Sequence, residues 1–246
     1  MMRALAAVLA LWFSAGPGFA VECRDMDHAG QSYTVCEVDL TQDTLRLFLK
    51  DSDGALYGQF NRIDRVLQTE GQELGFAMNA GMYHDDRAPV GLYVEDGQQV
   101  MHVVPNAGPG NFGLLPNGVL CLRDARADVI ETLRYIDLAP DCNSATQSGP
   151  MLVIDGVLHP RFLKDSTSRY VRNGVGTSVD GRRAVFAISN APVTFYEFGS
   201  VFKDALALPN ALYFDGNISR LHAPGLSRSD LGFRLGPIIG TVRDMR

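Results

Sequence analysis

Asp215 closes the apolar run Ala211-Leu212-Tyr213-Phe214 and is followed at once by Gly216 and Asn217. A carboxylate at the end of a core strand is held by that strand, and can act as nucleophile, base, metal ligand or hydroxyl acceptor. Asp, Gly and Asn also build ordinary turns, so the pattern carries two readings. A second segment has the same form: Gly75-Phe76-Ala77-Met78 runs into Asn79, Ala80 and Gly81. Arg169 and Arg172 in SRYVRNG bring a different chemistry. Their planar forks bond two oxygens of an anion together, and Asn173, Gly174 and Gly176 beyond them would let backbone amides face it. Thr146, Gln147, Ser148 and Gly149 form a polar stretch, read as a loop, whose hydroxyl, amide and backbone donors suit a polar ligand. His84 and Asp85 follow Asn79 on an expected loop.

Other polar residues carry weaker signals. Glu95-Asp96, Asp155 and Asp180 lie at expected hairpin tips beside glycine, where turn chemistry accounts for them. His159 and His222 are isolated, with no second ligand at a telling spacing, so no metal ligands are assigned.

The elements that would hold these residues are mainly short. Residues 31–40 and 43–50 alternate polar and apolar at period two and read as paired strands. Phe60, Ile63 and Leu67 fall at helical spacing, and Gly71 marks the stop. Residues 75–82 read as a strand, 88–104 as a hairpin about Glu95-Asp96-Gly97, and 110–124 as a hairpin turning at Pro116-Asn117-Gly118. Residues 127–137 fit either helix or strand. Two more hairpins are expected around Asp155-Gly156 and Asp180-Gly181, and Phe198, Val201, Phe202, Ala205 and Leu206 share one helical face. Both strong helices thus precede a strand ending in a polar residue near glycine. The pattern is α+β in one domain, with no proline-serine linker dividing it.

Residues 1–20 combine Arg3, an apolar run from Leu5 to Phe13 and Gly18-Phe19-Ala20, the form of a secretory signal peptide. The expected exported domain is then 21–246. A net charge of −6 with no lysine-arginine run argues against nucleic acid or anionic membrane as partner, and no segment reads as membrane-spanning. Cys23, Cys36, Cys121 and Cys142 suggest disulfides; of three pairings, the sequential one (Cys23–Cys36, Cys121–Cys142) closes the shortest loops.

Five segments taken in order, NAGMYHDDRAPVGLYVEDGQ, GNFGLLPNGV, ATQSGPMLVIDG, SRYVRNGVGTSVDG and ALYFDGNIS, resemble the phosphodiester glycosidase family. That family includes the enzyme that uncovers mannose 6-phosphate on lysosomal enzymes. The chain looks most like bacterial members labelled exopolysaccharide-biosynthesis proteins. The resemblance implies an α+β fold with a mixed, strongly curved sheet and cleavage of a sugar from a sugar 1-phosphodiester, on envelope or extracellular glycans. It implies Asp215, Asn79 and Arg172 as catalytic residues. Arg169, Asn173, Gly174, Gln147, Ser148, Gly149, His84, Gly216, Asn217 and Ser219 would bind substrate. No cofactor is assigned, and a divalent metal is left open. Where the family reads Asp-Gly-Gly-Gly-Ser, this chain has Asp215-Gly216-Asn217-Ile218-Ser219. That departure marks the alternative, a non-catalytic module that binds phosphorylated glycans.

Overall fold

The structure, a computed structural model, describes residues 21–215 and 218–245. The expected signal peptide, Gly216, Asn217 and Arg246 lie outside the described residues. The strands form three sheets. The first runs Glu22–His28, Gln31–Asp39, Arg183–Ser189, Asn173–Thr177, Asn210–Asp215, Met151–Ile154, Val157–Leu158. The second runs Arg228–Ser229, Leu221–Ala223, Gln72–Asn79, Ile238–Asp244, Leu45–Phe48. The third runs Gln98–Met101, Tyr93–Glu95, Ser144–Ser148, Gly118–Arg123, Arg126–Glu131.

The fold is α+β, as expected, but the single mixed sheet becomes three antiparallel ones among the described residues. The reason is local. Hairpin turns such as Asp96-Gly97 and Asp155-Gly156 join neighbours antiparallel, whereas parallel pairs need long crossovers.

Strand alternation explains how three sheets share one protein. In Asn210–Asp215, Leu212 and Phe214 enter a central core with Val38, Leu47, Phe76, Met78, Leu120 and Phe186, drawn from all three sheets. Ala211 and Tyr213 point the other way, against Phe198, Val201 and Phe202. That second layer is the helix Phe195–Ser200, opened by a Thr194–Glu197 capping box and continued as a π-helical turn, Val201–Ala205. On the second sheet, the helix Phe60–Thr69 buries Phe60, Ile63 and Leu67 against Phe48, Leu74 and Ile238. Gly71, at φ 75, follows its C-cap.

Two expectations are corrected. Residues 31–40 and 43–50 are strands but not partners: Gln31–Asp39 pairs with Glu22–His28 and Arg183–Ser189, Leu45–Phe48 with Ile238–Asp244. Pro116-Asn117-Gly118 is no hairpin turn. Gly118–Arg123 instead pairs with Arg126–Glu131 around Asp124-Ala125, and Asn117 is a buried bracket whose amide donates to Phe112 O and accepts from Thr132 Oγ1. Residues 127–137 divide into strand and helix at Glu131, whose carboxylate caps Thr132–Leu138 through Arg134 N. The cysteines pair as Cys23–Cys36 and Cys121–Cys142. No helix is long and apolar enough to cross a membrane among the described residues.

Candidate active site

Asn79 ends a strand of the second sheet, and Asp215 ends a strand of the first beside Asn173. The two sheets are joined at this point by amides rather than apolar packing. Asn173 Nδ2 donates to Asn79 O at 2.8 Å and to Asn79 Oδ1 at 3.1 Å. Asn173 Oδ1 accepts from the backbone N–H of Asp215 at 3.1 Å, and Asn79 Oδ1 from that of Arg220 at 2.9 Å. Both asparagines are fully buried. Ser219 Oγ lies 3.0 Å from Val171 O and from Asp215 O, closing the backbone around the strand end. Buried amides with every partner made are rigid, so the Asp215 backbone is held from two sides.

Asp215 lines a cleft of about 670 Å³ together with Tyr83, His84, Arg87, Phe112 and Ile218. Clefts of about 500 and 480 Å³ elsewhere contain none of Asp215, Asn79 or Asn173. Tyr83 is a cleft residue that reading the sequence missed. Its ring packs on Gly236, where a Cβ would stand 2.5 Å from a ring carbon, and under the Arg87 guanidinium at 5.2 Å. Its hydroxyl is buried and finds no hydrogen-bond partner among the described residues. Burial first, then the Asp215 carboxylate, push this phenol up to about 12, so at neutral pH it stays protonated. A buried polar group without a partner calls for an explanation, and a ligand that supplies one is the direct answer. Arg87 was missed as well. It adopts φ 74, and its Nε and Nη1 grip Arg234 O and Asp85 O. The only signal for either residue was their place four and eight residues after Asn79.

Arg172 occupies a different place. It is buried on the helix side of the first sheet, donating from Nε to Val193 O at 2.9 Å, Nη1 to Tyr213 OH at 3.3 Å and Nη2 to Ser168 O at 3.1 Å. Its guanidinium stacks 3.7 Å from the Phe195 ring centre. Strand alternation turns Asn173 toward the asparagine bracket and its neighbour away from it. Arg169 is exposed and paired with Glu197 at 2.9 Å.

The polar stretch 146–149 is not a loop: Ser144–Ser148 is a fully buried strand of the third sheet. Its low hydrophobicity misled because every polar group is satisfied internally. Gln147 Oε1 accepts from Leu92 and Val104 N–H, and Nε2 donates to Val104 O and Thr132 Oγ1. Ser148 Oγ donates to Phe214 O at 3.1 Å, bolting this sheet to the Asp215 strand. Gly174 has Leu212 O where a Cβ would be, at 2.5 Å, and Gly149 sits likewise against Asn117. Their smallness serves close backbone approach. His84 is exposed in the cleft. Gly216 and Asn217 lie outside the described residues. No group of three or more His, Cys, Asp or Glu side chains is arranged to hold a metal among the described residues.

A family model of phosphodiester glycosidases matches residues 72–222. A curated relative, "Uncharacterized protein YigE" of Escherichia coli K12, is 32% identical over 211 residues, 85% of this chain and 82% of the relative. The chain belongs to the phosphodiester glycosidase family. The matched span contains Asn79, Tyr83, Arg87, Asn173 and Asp215, the bracket and much of the cleft together. Among solved structures, it is similar to the catalytic domain of zebrafish N-acetylglucosamine-1-phosphodiester alpha-N-acetylglucosaminidase, auto-inhibited by its pro-peptide. The TM-score is 0.61 at 13% identity, over 93% of this chain and 84% of that one. A hypothetical protein from Synechocystis also gives 0.61 at 13% identity, over 89% of this chain and 61% of that one. At such identities the likeness concerns the fold.

Proposed function

We propose that the protein is a phosphodiester glycosidase that releases the sugar from a sugar 1-phosphodiester. The observation that supports it most is Asp215 facing a cleft with its backbone N–H held by Asn173, itself bonded to Asn79. As the sugar–oxygen bond breaks, positive charge grows at the anomeric carbon, and a fixed carboxylate stabilises or captures it. Phosphate leaves as an anion and needs no strong acid. Tyr83, protonated up to about 12, donates a hydrogen bond without giving up its proton. Arg87 and His84 are the basic side chains on the cleft, and they take over the phosphate contact first expected of Arg172 and Arg169. The two disulfides suit an oxidising compartment, in line with export.

The second reading, a binding module, draws on Ile218, which lines the cleft where the family carries a small residue. Incubation with a GlcNAc-1-phosphodiester separates the two. Free GlcNAc detected by mass spectrometry is expected; tight binding of intact ester with no sugar released would leave a module.

Arg87→Ala is expected to weaken phosphodiester binding by on the order of 10- to 150-fold, the loss of one charge-assisted contact of roughly 1.5–3 kcal/mol. Binding of the neutral sugar should hardly change. Equal affinities of folded wild type and variant for the phosphodiester, measured by calorimetry, would take Arg87 out of the site.

A further inference from the structure

The segment 230–236 stands against the cleft wall. Arg220 Nε donates to Asp230 O at 3.0 Å and Nη1 to Phe233 O at 2.9 Å. Gln59 Nε2 donates to Gly232 O at 3.0 Å, and the cleft residue Arg87 to Arg234 O at 2.9 Å. Leu235 is buried, its N–H bonded to Gly58 O, and Gly236 carries the Tyr83 ring. So four backbone carbonyls from 230 to 234 are held, and the segment is fixed in place. Yet Leu231 is 87% and Phe233 77% exposed. Single exposed apolar side chains are ordinary; two on a pinned segment bonded to a cleft residue are not. The cleft itself continues this character, since Met82, Val90, Pro109, Phe112 and Ile218 line it around the charged groups.

We infer that the group on the far side of the substrate phosphate is an alkyl chain, lying over Leu231 and Phe233, so that the substrate class is a lipid-linked sugar phosphate. This rests on the hydrolase reading given above. Sugar and phosphate lie beside Asp215, Tyr83, His84 and Arg87, and the chain runs from there toward the segment 230–236, which Arg87 and Tyr83 contact. The bond broken is still that between the sugar and the phosphate; water supplies the hydroxyl, and the alkyl phosphate departs with its chain intact.

Ethyl, hexyl and decyl esters of GlcNAc-1-phosphate, kept below their micellar concentrations, test this in wild type and in L231S/F233S. Both positions are exposed, so the double variant should fold as wild type does, which circular dichroism checks. In wild type, affinity and kcat/KM are expected to rise by about two- to fourfold for each methylene that reaches the apolar wall. The change should lie in KM, because such contacts are the same in ground and transition states. In the double variant the slope should flatten, while the ethyl ester is handled as before. Turnover of all three esters with no dependence on chain length, or with the same slope in the variant, overturns the inference. So does a variant defect seen only with substrate embedded in vesicles, which would make Leu231 and Phe233 a membrane contact. Calorimetric binding separates the two readings: a chain-length slope in affinity without any turnover keeps the alkyl site and removes the hydrolase.

Discussion

Asp215→Asn is expected to lower hydrolysis of a sugar 1-phosphodiester by ~10²-fold or more while the protein stays folded. The substitution keeps volume and turn preference and removes only the charge. The brackets that hold this position act on its backbone: Asn173 Oδ1 on the Asp215 N–H, and Ser219 Oγ beside the Asp215 carbonyl. They do not depend on the side chain's ionisation, so the variant should still fold. Substrate binding should change much less than turnover, because a carboxylate facing a developing cation acts mainly on the transition state. If Asp215, Gly216 and Asn217 serve only as a turn, the pattern reverses. Asp215→Asn is then silent, and Gly216→Val does the damage through the backbone. A folded Asp215→Asn protein with near wild-type turnover would return the residue to that turn.

Arg172→Ala is expected to cost about 3–5 kcal/mol of stability, seen as a lower urea midpoint. Three hydrogen bonds from a buried guanidinium are lost, leaving Val193 O, Ser168 O and the Tyr213 hydroxyl short of a donor. The stack on Phe195 is replaced by a cavity. Arg172→Lys restores charge but not the fork and should recover only part of the loss. A direct phosphate clamp predicts something else: near-normal stability with phosphodiester affinity down on the order of 10- to 150-fold. That result would put Arg172 back among the ligand contacts.

What could be read without a structure was whatever depends on neighbours along the chain. Phe60, Ile63 and Leu67 recur at helical spacing and Gly71 ends the run, so Phe60–Thr69 was legible as a helix. Asp96-Gly97 and Asp155-Gly156 announced their hairpins, and the strands ending at Asn79 and Asp215 were legible as apolar runs meeting polar residues. The short cysteine spacings anticipated both disulfides. The order of five glycine-containing segments carried the family.

Whatever depends on register and on facing sheets was decided only by tertiary structure. Arg172 and Asn173 are consecutive where the strand Asn173–Thr177 begins, and the alternation sends one into the aromatic layer and the other to the asparagine bracket. No local pattern marks which is which. Thr146 to Ser148 read as loop because their partners, Ala80, Leu92, Val104, Thr132 and Phe214, are distant along the chain; only with those partners is a polar strand affordable in a core. Beyond their place shortly after Asn79, Tyr83 and Arg87 carry no signature of their own. Their meaning arises where a loop after one sheet meets Gly236 and Arg234 from the far end of the chain, closing a cleft over Asp215.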